Sequence, residues 1–180
     1  MKRLLVTGGA GFIGANFIRM VLDEHPECFV VNFDSLTYAG NLENLEGYLD
    51  HAQHSFVRGD ICDTELVART LDEHRIDCIV NFAAESHVDR SITGPKIFID
   101  TNVSGTLTLL QAARESNIEK FIQVSTDEVY GSLGAEGMFT ETTRLSPNSP
   151  YSASKASADH LVPCLIVISV NTGNSKYTYN

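Results

Sequence analysis

The sequence has no tryptophan, few cysteines and a shortage of positive charge, and each shortage narrows the range of functions. Its 13 lysine and arginine residues are outnumbered by 23 aspartate and glutamate residues, which gives a formal net charge of -10 at pH 7. This charge argues against nucleic acid and against an anionic membrane as partners. It does not exclude an anionic small molecule, because the N-terminus of a single helix can bind a phosphate group.

The cysteines are scattered and show no Cys-x-x-Cys spacing; they are Cys28, Cys62, Cys78 and Cys164. We interpret them as reduced thiols, mostly in the core, of a cytoplasmic protein. No long apolar run is present: residues 164–170 are too few to cross a bilayer, and residues 4–6 are too few for a signal peptide. His51 and His54 have no cysteine nearby, so we expect no metal site.

Short apolar runs alternate with segments of helical periodicity along the 180 residues. The pattern predicts strands over 4–7, 29–33, 55–58, 77–83 and 120–125, and helices over 12–24, 64–74, 97–115 and 149–162. Such alternation is typical of parallel strands joined by right-handed crossovers. We therefore predict an α/β fold with a doubly wound parallel sheet, and a single dinucleotide-binding domain over 1–180.

A glycine-rich turn, Thr7-Gly-Gly-Ala-Gly-Phe-Ile-Gly14, joins the first predicted strand to the first predicted helix. Glycine at 8, 11 and 14 would let a pyrophosphate approach the N-terminus of that helix. Asp34 ends the second predicted strand, about twenty residues after the turn, where a carboxylate binds ribose hydroxyls and repels a 2′-phosphate. The pattern predicts NAD rather than NADP, although Asp34 is also compatible with an ordinary turn aspartate.

Tyr151 and Lys155 are spaced i and i+4, so they share one face of the last predicted helix. A lysine cation beside a phenol lowers the pKa of the phenol by stabilising the phenolate. Tyr-x-x-x-Lys is common by chance on solvated helices. Here it follows a dinucleotide turn and a strand that ends in Ser125-Thr126, so we interpret it as a hydride-transfer pair.

Two adjacent carboxylates, Asp127 and Glu128, come directly after the fifth predicted strand. Active sites of doubly wound sheets form at the carboxyl ends of strands. Neighbouring carboxylates in a partly buried cleft separate their pKa values, so that one serves as an acid and the other as a base. The alternative is a solvated turn or a pair of acidic residues at a helix N-terminus.

The chain resembles the dTDP-glucose 4,6-dehydratases of the extended short-chain dehydrogenase/reductase superfamily from about residue 2 to about residue 162. The resemblance lies in the three-residue glycine spacing and in residues 36–41, 83–92, 125–131 and 151–157. It implies an NAD(P)-binding Rossmann fold and the NAD-dependent dehydration of dTDP-glucose to dTDP-4-keto-6-deoxyglucose, a lyase reaction of deoxysugar biosynthesis. It also implies a nucleotide-sugar substrate and a homodimer built from the helices near 97–115 and 151–162.

The resemblance assigns roles to single residues. Tyr151 would take the proton of the 4-hydroxyl and Thr126 would hydrogen-bond that oxygen, while Glu128 would remove the proton beside the new ketone. Asp127 would protonate the departing 6-hydroxyl, Lys155 would hold the nicotinamide ribose, and Ser86 would contact the substrate. His87 is compatible with a proton shuttle, but we favour a structural role. The predicted cofactor-binding residues are Gly8, Gly11, Phe12, Ile13, Gly14, Asp34, Ser35, Leu36, Thr37, Asp60, Ile61, Ala83, Ala84, Glu85, Thr101, Tyr151 and Lys155.

After Val162 the sequence departs from this family. We expect Pro163 to interrupt the last helix, residues 164–170 to form a sixth strand and residues 163–180 to be a divergent tail. We also expect the carboxyl-terminal substrate domain to be absent, with self-association through the exposed sheet edge. Two other functions stay open: a non-catalytic NAD-binding module, and 4-epimerisation, which needs no acid at carbon 6.

Overall fold

Five parallel strands form one sheet in the computed structural model, which describes residues 2–134 and 136–170, with side chains to Leu165. The strand order is β3-β2-β1-β4-β5. The strands are β1 (Lys2–Thr7), β2 (Cys28–Asp34), β3 (His54–Arg58), β4 (Cys78–Asn81) and β5 (Lys120–Gln123). The predicted doubly wound sheet is confirmed, and its order reverses between β1 and β4, where such sheets bind ligands at the carboxyl ends of the strands.

The helices lie close to their predicted positions, and α1 has the predicted bounds. The α-helices are α1 (Phe12–Glu24), α2 (Thr64–Glu73), α3 (Val88–Thr93), α4 (Lys96–Phe98), α5 (Thr106–Glu115) and α6 (Pro150–Val170). A π-helix, Ile99–Gly105, joins α4 to α5 without a break, and short 3-10 helices occupy Leu42–Leu45 and Asp127–Tyr130. The segment between β4 and the long predicted helix contains α3.

Two predictions about the end of the chain are wrong. The last helix continues through Pro163, so Pro163 does not interrupt it, and residues 164–170 are helical rather than a sixth strand. A helix that already has three turns before the proline has passed the costly nucleation step. The proline then removes one backbone hydrogen bond and adds a local clash, which the flanking turns tolerate. The part of the predicted tail from 171 to 180 lies outside the described residues.

The strands are apolar along their length because both faces of the sheet are covered. Leu5 and Val31 point to one face, in a buried cluster that includes Leu71 of α2 and Leu109 of α5. The alternate residues of the strands point to the opposite face. There Val6 and Val30 join a second cluster with Ile18 and Leu22 of α1.

The chain divides into two compact units. Unit 1 consists of the described residues of Met1–Ala83 and Thr108–Val124, and unit 2 of those of Ala84–Leu107 and Ser125–Asn180. Unit 1 contains the sheet and the glycine-rich turn, whereas unit 2 contains α3, the π-helix and α6. Across 2–134 and 136–170, no helix is both long and apolar enough to cross a membrane.

Candidate functional site

The glycine-rich turn of unit 1 is closed by backbone hydrogen bonds. The Gly8 amide donates to the Phe33 carbonyl at 2.9 Å and the Gly11 amide donates to the Gly8 carbonyl at 3.1 Å. Gly8 has a φ of +66°, and a Cβ there would lie 2.7 Å from the Ala83 nitrogen. A Cβ at Gly14 would lie 2.3 Å from the Gly8 carbonyl oxygen. The tight turn therefore requires glycine at these two predicted positions.

Gly9 is a residue of this turn that the sequence reasoning missed. A Cβ on Gly9 would lie 2.3 Å from Oδ1 of the fully buried Asn32. Gly11 is less constrained, because the nearest atom to its Cβ would be the Gly8 oxygen at 3.3 Å. The missed signal was the polar Asn32 in the middle of an apolar strand. The regular three-residue spacing drew attention to Gly11 instead.

Helix α1 begins directly after the turn, with Gly11 as its N-cap and no side-chain hydrogen bond at that end. The first amides of a helix have no partner within the helix and favour an anion. Phe12 and Ile13 are exposed in this first turn, although both are large apolar side chains. Their exposure beside a glycine cradle is consistent with the predicted role in a cofactor site.

The Asp34 side chain lies at the carboxyl end of β2 and is 7% exposed. Its Oδ2 accepts a hydrogen bond from the Ala10 amide at 2.9 Å, and its Oδ1 accepts one from the Leu36 amide at 2.8 Å. Leu36 has a φ of +54°, so the chain turns sharply there. A carboxylate has about four acceptor positions, so Asp34 retains capacity for ribose hydroxyls while it fixes the glycine turn.

The other predicted cofactor residues of unit 1 differ in exposure. Ser35 is half-buried and Thr37 is exposed after β2, while Asp60 is exposed after β3. The Ile61 side chain is 4% exposed and belongs to the core cluster with Phe33, so little of its surface is left for a ligand. Asp60 accepts a hydrogen bond from the Cys62 amide at 2.9 Å, which orders the turn after β3.

Polar side chains link the carboxyl ends of three strands of unit 1, which the sequence reasoning did not predict. The Thr7 hydroxyl donates to Asn81 Oδ1 at 2.5 Å, and Asn81 Nδ2 donates to Gln123 Oε1 at 2.8 Å. The Ala83 amide donates to the Thr7 hydroxyl at 3.3 Å. These bonds satisfy polar groups that burial would otherwise penalise. They align β1, β4 and β5 at the edge of the sheet where a ligand would bind.

In unit 2, Asp127 and Glu128 lie in the 3-10 helix Asp127–Tyr130, and Thr126 directly precedes it. Thr126 is the N-cap, and its hydroxyl accepts a hydrogen bond from the Glu128 amide at 3.3 Å. Gly131 ends the turn at a φ of +91°. Asp127 is exposed and Glu128 is half-buried, so the two carboxylates lie in different environments. The interpretation as acidic residues at a helix N-terminus is therefore correct as geometry, and it is compatible with a catalytic role.

Tyr151 lies in the first turn of α6 and is 9% exposed. Its ring packs edge-on against the buried Phe98, with centroids 6.3 Å apart. Burial raises the pKa of Tyr151 above the ordinary tyrosine value, the Thr126 side chain lowers that pKa, and Glu128 and Asp127 raise it. We expected Lys155 to lower the pKa of Tyr151. The pKa is raised instead, because desolvation of the phenolate outweighs the stabilising contacts.

Lys155 lies on the next turn of α6 and is 4% exposed. Burial lowers the pKa of Lys155 below the ordinary lysine value, and Asp159 raises it. A buried lysine is costly for the fold, so its presence is evidence of a functional role. The prediction that Tyr151 and Lys155 share a face of one helix is confirmed by the burial of both side chains.

Asn102 is a buried polar residue that the sequence reasoning missed. Its side chain accepts a hydrogen bond from the Glu85 amide at 2.8 Å and donates to the Glu85 carbonyl at 3.0 Å. It also donates to the Ser154 hydroxyl at 2.9 Å, and Ser154 donates to the Tyr151 carbonyl at 2.6 Å. Asn102 lies in the π-helix, a geometry frequent at functional sites. It connects the segment after β4 with the start of α6.

The remaining predicted residues of unit 2 surround this connection. Glu85 is buried, Ala84 and Thr101 are half-buried, and Ser86 is exposed. His87 is the exposed N-cap of α3, with no side-chain hydrogen bond at that cap. Within the described ranges, no group of three or more His, Cys, Asp or Glu side chains is arranged to hold a metal ion.

Comparison with known proteins shows that the chain is similar to 4,6-dehydratases. The family model for GDP-mannose 4,6 dehydratase matches residues 5–165. A dTDP-glucose 4,6-dehydratase of Xanthomonas campestris pv. campestris is 52% identical, over 100% of this chain and 55% of the relative. The dTDP-glucose 4,6-dehydratase of Streptomyces venezuelae, solved with NAD bound, matches with a TM-score of 0.85 and 52% identity. That match covers 90% of this chain and 51% of the other.

An epimerase is also similar in structure. The UDP-glucose 4-epimerase of Thermus thermophilus, solved in complex with NAD, matches with a TM-score of 0.84 and 33% identity. The match covers 93% of this chain and 52% of the epimerase. The chain thus spans about half the length of the relatives that it matches.

Proposed function

Since the chain belongs to the GDP-mannose 4,6 dehydratase family, we propose that it carries the NAD-binding and catalytic residues of a dTDP-glucose 4,6-dehydratase. The dehydratases among its relatives are about half identical to it in sequence. The observation that carries the proposal is the turn of Thr126, Asp127 and Glu128, whose side chains act on the buried Tyr151. This arrangement combines a proton-accepting tyrosine with two carboxylates.

The residues of unit 1 fit NAD. Gly8 and Gly14 leave a cradle that a Cβ would fill, the N-terminus of α1 has no side-chain cap, and Asp34 offers a carboxylate. These groups would hold the pyrophosphate and the adenosine ribose, and the Asp34 charge would disfavour a 2′-phosphate. Exposed Phe12 and Ile13 would cover part of the cofactor. In unit 2, Lys155 would hold the nicotinamide ribose.

NAD supplies, when bound, a hydride acceptor for carbon 4 of the sugar and later a hydride donor for carbon 6. Tyr151 would accept the proton of the 4-hydroxyl, while Thr126 holds that oxygen by a hydrogen bond. The resulting ketone acidifies the proton at carbon 5, which Glu128 would remove as a general base. Asp127 would protonate the 6-hydroxyl, which leaves as water. Ser86 would contact the substrate.

The acid and base roles of the two carboxylates come from the family resemblance rather than from their exposure. The reverse assignment would make Glu128 the acid and Asp127 the base. Single substitutions separate the two assignments, because loss of the base stops exchange of the carbon-5 proton with solvent. Loss of the acid leaves that exchange and stops the departure of water.

Two alternatives are each favoured by one observation. The similarity to an NAD-bound 4-epimerase favours epimerisation, but that reaction has no use for an acid at carbon 6. The glycine turn and Asp34 of unit 1 favour an NAD-binding module that does not turn over substrate, because these groups fit NAD without any sugar substrate. Positioning supplies much of an enzymatic rate, so an imperfectly held substrate would cost activity while NAD affinity stays unchanged.

The test is to incubate the chain with dTDP-glucose and NAD and to measure the ultraviolet absorbance of the 4-keto product in alkali. We expect a signal from the parent chain and none from Asp127→Asn/Glu128→Gln. Calorimetric NAD binding should be unchanged in this double variant, because both residues belong to the proton-transfer set. NAD binding without product from either chain would contradict catalysis and support the NAD-binding module.

Assembly and location are further parts of the proposal. Exposed Ile97 and Ile99 on the helical segment 96–115 support a homodimer through that segment. Light scattering of Ile97→Lys/Ile99→Lys, compared with the parent, would test it. The four cysteines form no disulfide among the described residues, and reduced thiols support a cytoplasmic site of action in deoxysugar biosynthesis.

A further inference from the structure

Lys155 is buried, and burial disfavours the positive charge of its side chain. It lies between Ser154 and Ala156 on the buried face of α6, with 4% of its surface exposed. Burial favours the neutral amine, which has lost its attraction for a ribose oxygen or a phenolate. The proposed function uses Lys155 as a cation, and the inference below rests on that proposed function. A negative charge near Lys155 would favour its protonated form.

Asp159 is positioned to favour the protonated form of Lys155. It lies four residues after Lys155 on α6, so the two side chains are neighbours on one face of the helix. Its charge acts on Lys155 in the direction opposite to burial. Its own exposure is intermediate, so solvent reaches its side chain.

The direction of the Asp159 carboxylate is fixed from outside the helix. The Ser125 hydroxyl donates a hydrogen bond to Asp159 Oδ2. Ser125 directly precedes Thr126, the N-cap of the turn that carries Asp127 and Glu128. The same contact therefore ties the proton-transfer turn to the turn of α6 that follows Lys155.

Other charged or titratable groups are carried by the elements packed against α6. Asp127 and Glu128, on the 3-10 helix, act on Tyr151. Lys96 of α4 is paired with Asp100 of the π-helix at 2.5 Å. The further charged or titratable residues on or beside these elements are Glu85, His87, Asp89, Arg90 and Tyr130.

We propose that Asp159, oriented by Ser125, is a positioning residue that keeps the buried Lys155 protonated. Asp159 itself touches neither the reacting atoms nor the cofactor in this account. Replacement by asparagine keeps the size of the side chain and an acceptor for Ser125, but removes the charge. Replacement by glutamate keeps the charge.

The experiment is a pH titration by carbon-13 NMR of the full chain, labelled at the lysine ε-carbon. The sequence has five lysines, so the spectrum is sparse, and Lys155→Arg identifies the Lys155 signal; the lysines are Lys2, Lys96, Lys120, Lys155 and Lys176. We compare the parent with Asp159→Asn, Asp159→Glu and Ser125→Ala. Asp72→Asn, on the exposed side of α2, is the matched control for the loss of one negative charge.

We expect the Lys155 midpoint to move to lower pH in Asp159→Asn, and to a smaller extent in Ser125→Ala. Asp72→Asn and Asp159→Glu should leave it near the parent value. A Lys155 midpoint that is the same in the parent, Asp159→Asn and Ser125→Ala overturns the inference. If Asp159→Asn fails to fold, as judged by its amide spectrum, the midpoint of Ser125→Ala decides alone in the same way.

The titration uses neither substrate nor NAD, so its outcome is separate from that of the proposed function. A shifted Lys155 midpoint in a chain that forms no 4-keto product would support the positioning role and contradict the dehydratase. An unshifted Lys155 midpoint in a chain that forms the 4-keto product would contradict the positioning role and support the dehydratase.

Discussion

Single residues divide into those that shape the backbone and those that carry charge. Gly8 and Gly14 shape the turn of unit 1, where the carbonyl of Gly8 and the backbone at Ala83 leave no room for a Cβ. Tyr151 and Lys155 place ionisable groups at buried positions of unit 2, at a cost to stability. Neither kind of residue improves an ordinary core.

Replacement of Gly14 by alanine tests the cradle. The added Cβ would lie 2.3 Å from the Gly8 oxygen and 2.8 Å from the Gly9 Cα, so the turn must shift. We expect a loss of about 1–3 kcal/mol in the free energy of unfolding, as for other overpacked sites. NAD affinity, measured by calorimetry, should fall more than about tenfold, which corresponds to 1.4 kcal/mol.

Gly134→Ala is the matched control for Gly14→Ala. A Cβ there meets no heavy atom of the described residues within 4 Å. Stability and NAD binding should both stay at parent values. Equal effects of Gly14→Ala and Gly134→Ala would show that the turn does not need its glycines.

Lys155→Met tests the cost of the buried charge. The folded pKa of Lys155 is lowered by burial, so the folded state binds its proton less tightly than the unfolded state. Methionine has no charge to bury, and we expect Lys155→Met to stabilise the fold at neutral pH by about 1 kcal/mol or more. The gain should shrink as the pH rises between the folded pKa and the ordinary lysine value, where the parent releases the proton.

Urea unfolding at several pH values measures this effect, with the exposed Lys120 replaced by methionine as the control. The control should change stability little at any pH. Lower stability of Lys155→Met at neutral pH would mean that the lysine stabilises the fold, contrary to our account.

The residues of the site were predictable from the sequence to different degrees. Gly8, Gly14 and Asp34 were predicted as cofactor-binding residues because of their spacing along one strand, turn and helix. Asn102 and Gly9 were missed, since the buried partners that constrain them, Glu85 and Asn32, are distant in sequence. The raised pKa of Tyr151 was missed for a related reason: burial is a property of the packed chain and not of the helical spacing.

The helices and strands show which elements can be predicted from local sequence pattern and which cannot. The bounds of α1 were predicted without error, since a glycine-rich start and apolar periodicity define them. Short elements were not predicted: α3 has six residues, and the 3-10 helix of Asp127–Tyr130 has four. Segments of this length show little periodicity, and their geometry depends on capping and packing.

Pro163→Ala tests the tolerance of α6 for its proline. Alanine restores a backbone donor and removes the clash, so we expect stabilisation by up to about 3 kcal/mol. Pro150→Ala is the control, because the first turn of a helix has no partner for that amide. Thermal unfolding followed by circular dichroism measures both variants. A destabilised Pro163→Ala chain would show that the proline is needed by the packing of α6.

The whole molecule consists of a sheet unit that contains the glycine-rich turn and a helical unit that contains the residues proposed for proton transfer. Its net charge of -10 does not attract anions. An anionic ligand would therefore be bound by local groups such as the N-terminus of α1. The fold class was predictable because strand and helix alternate in sequence. Activity was not, since the chain matches about half the length of its relatives.

The measurement that tests the central claim most directly is the mass of the sugar nucleotide after incubation of the chain with dTDP-glucose and NAD. The account predicts a product that is lighter than the substrate by one water, and no such product with Asp127→Asn/Glu128→Gln. A product of unchanged mass but altered chromatographic mobility would show epimerisation. Unaltered substrate, with NAD bound, would contradict the claim that this chain is a dehydratase.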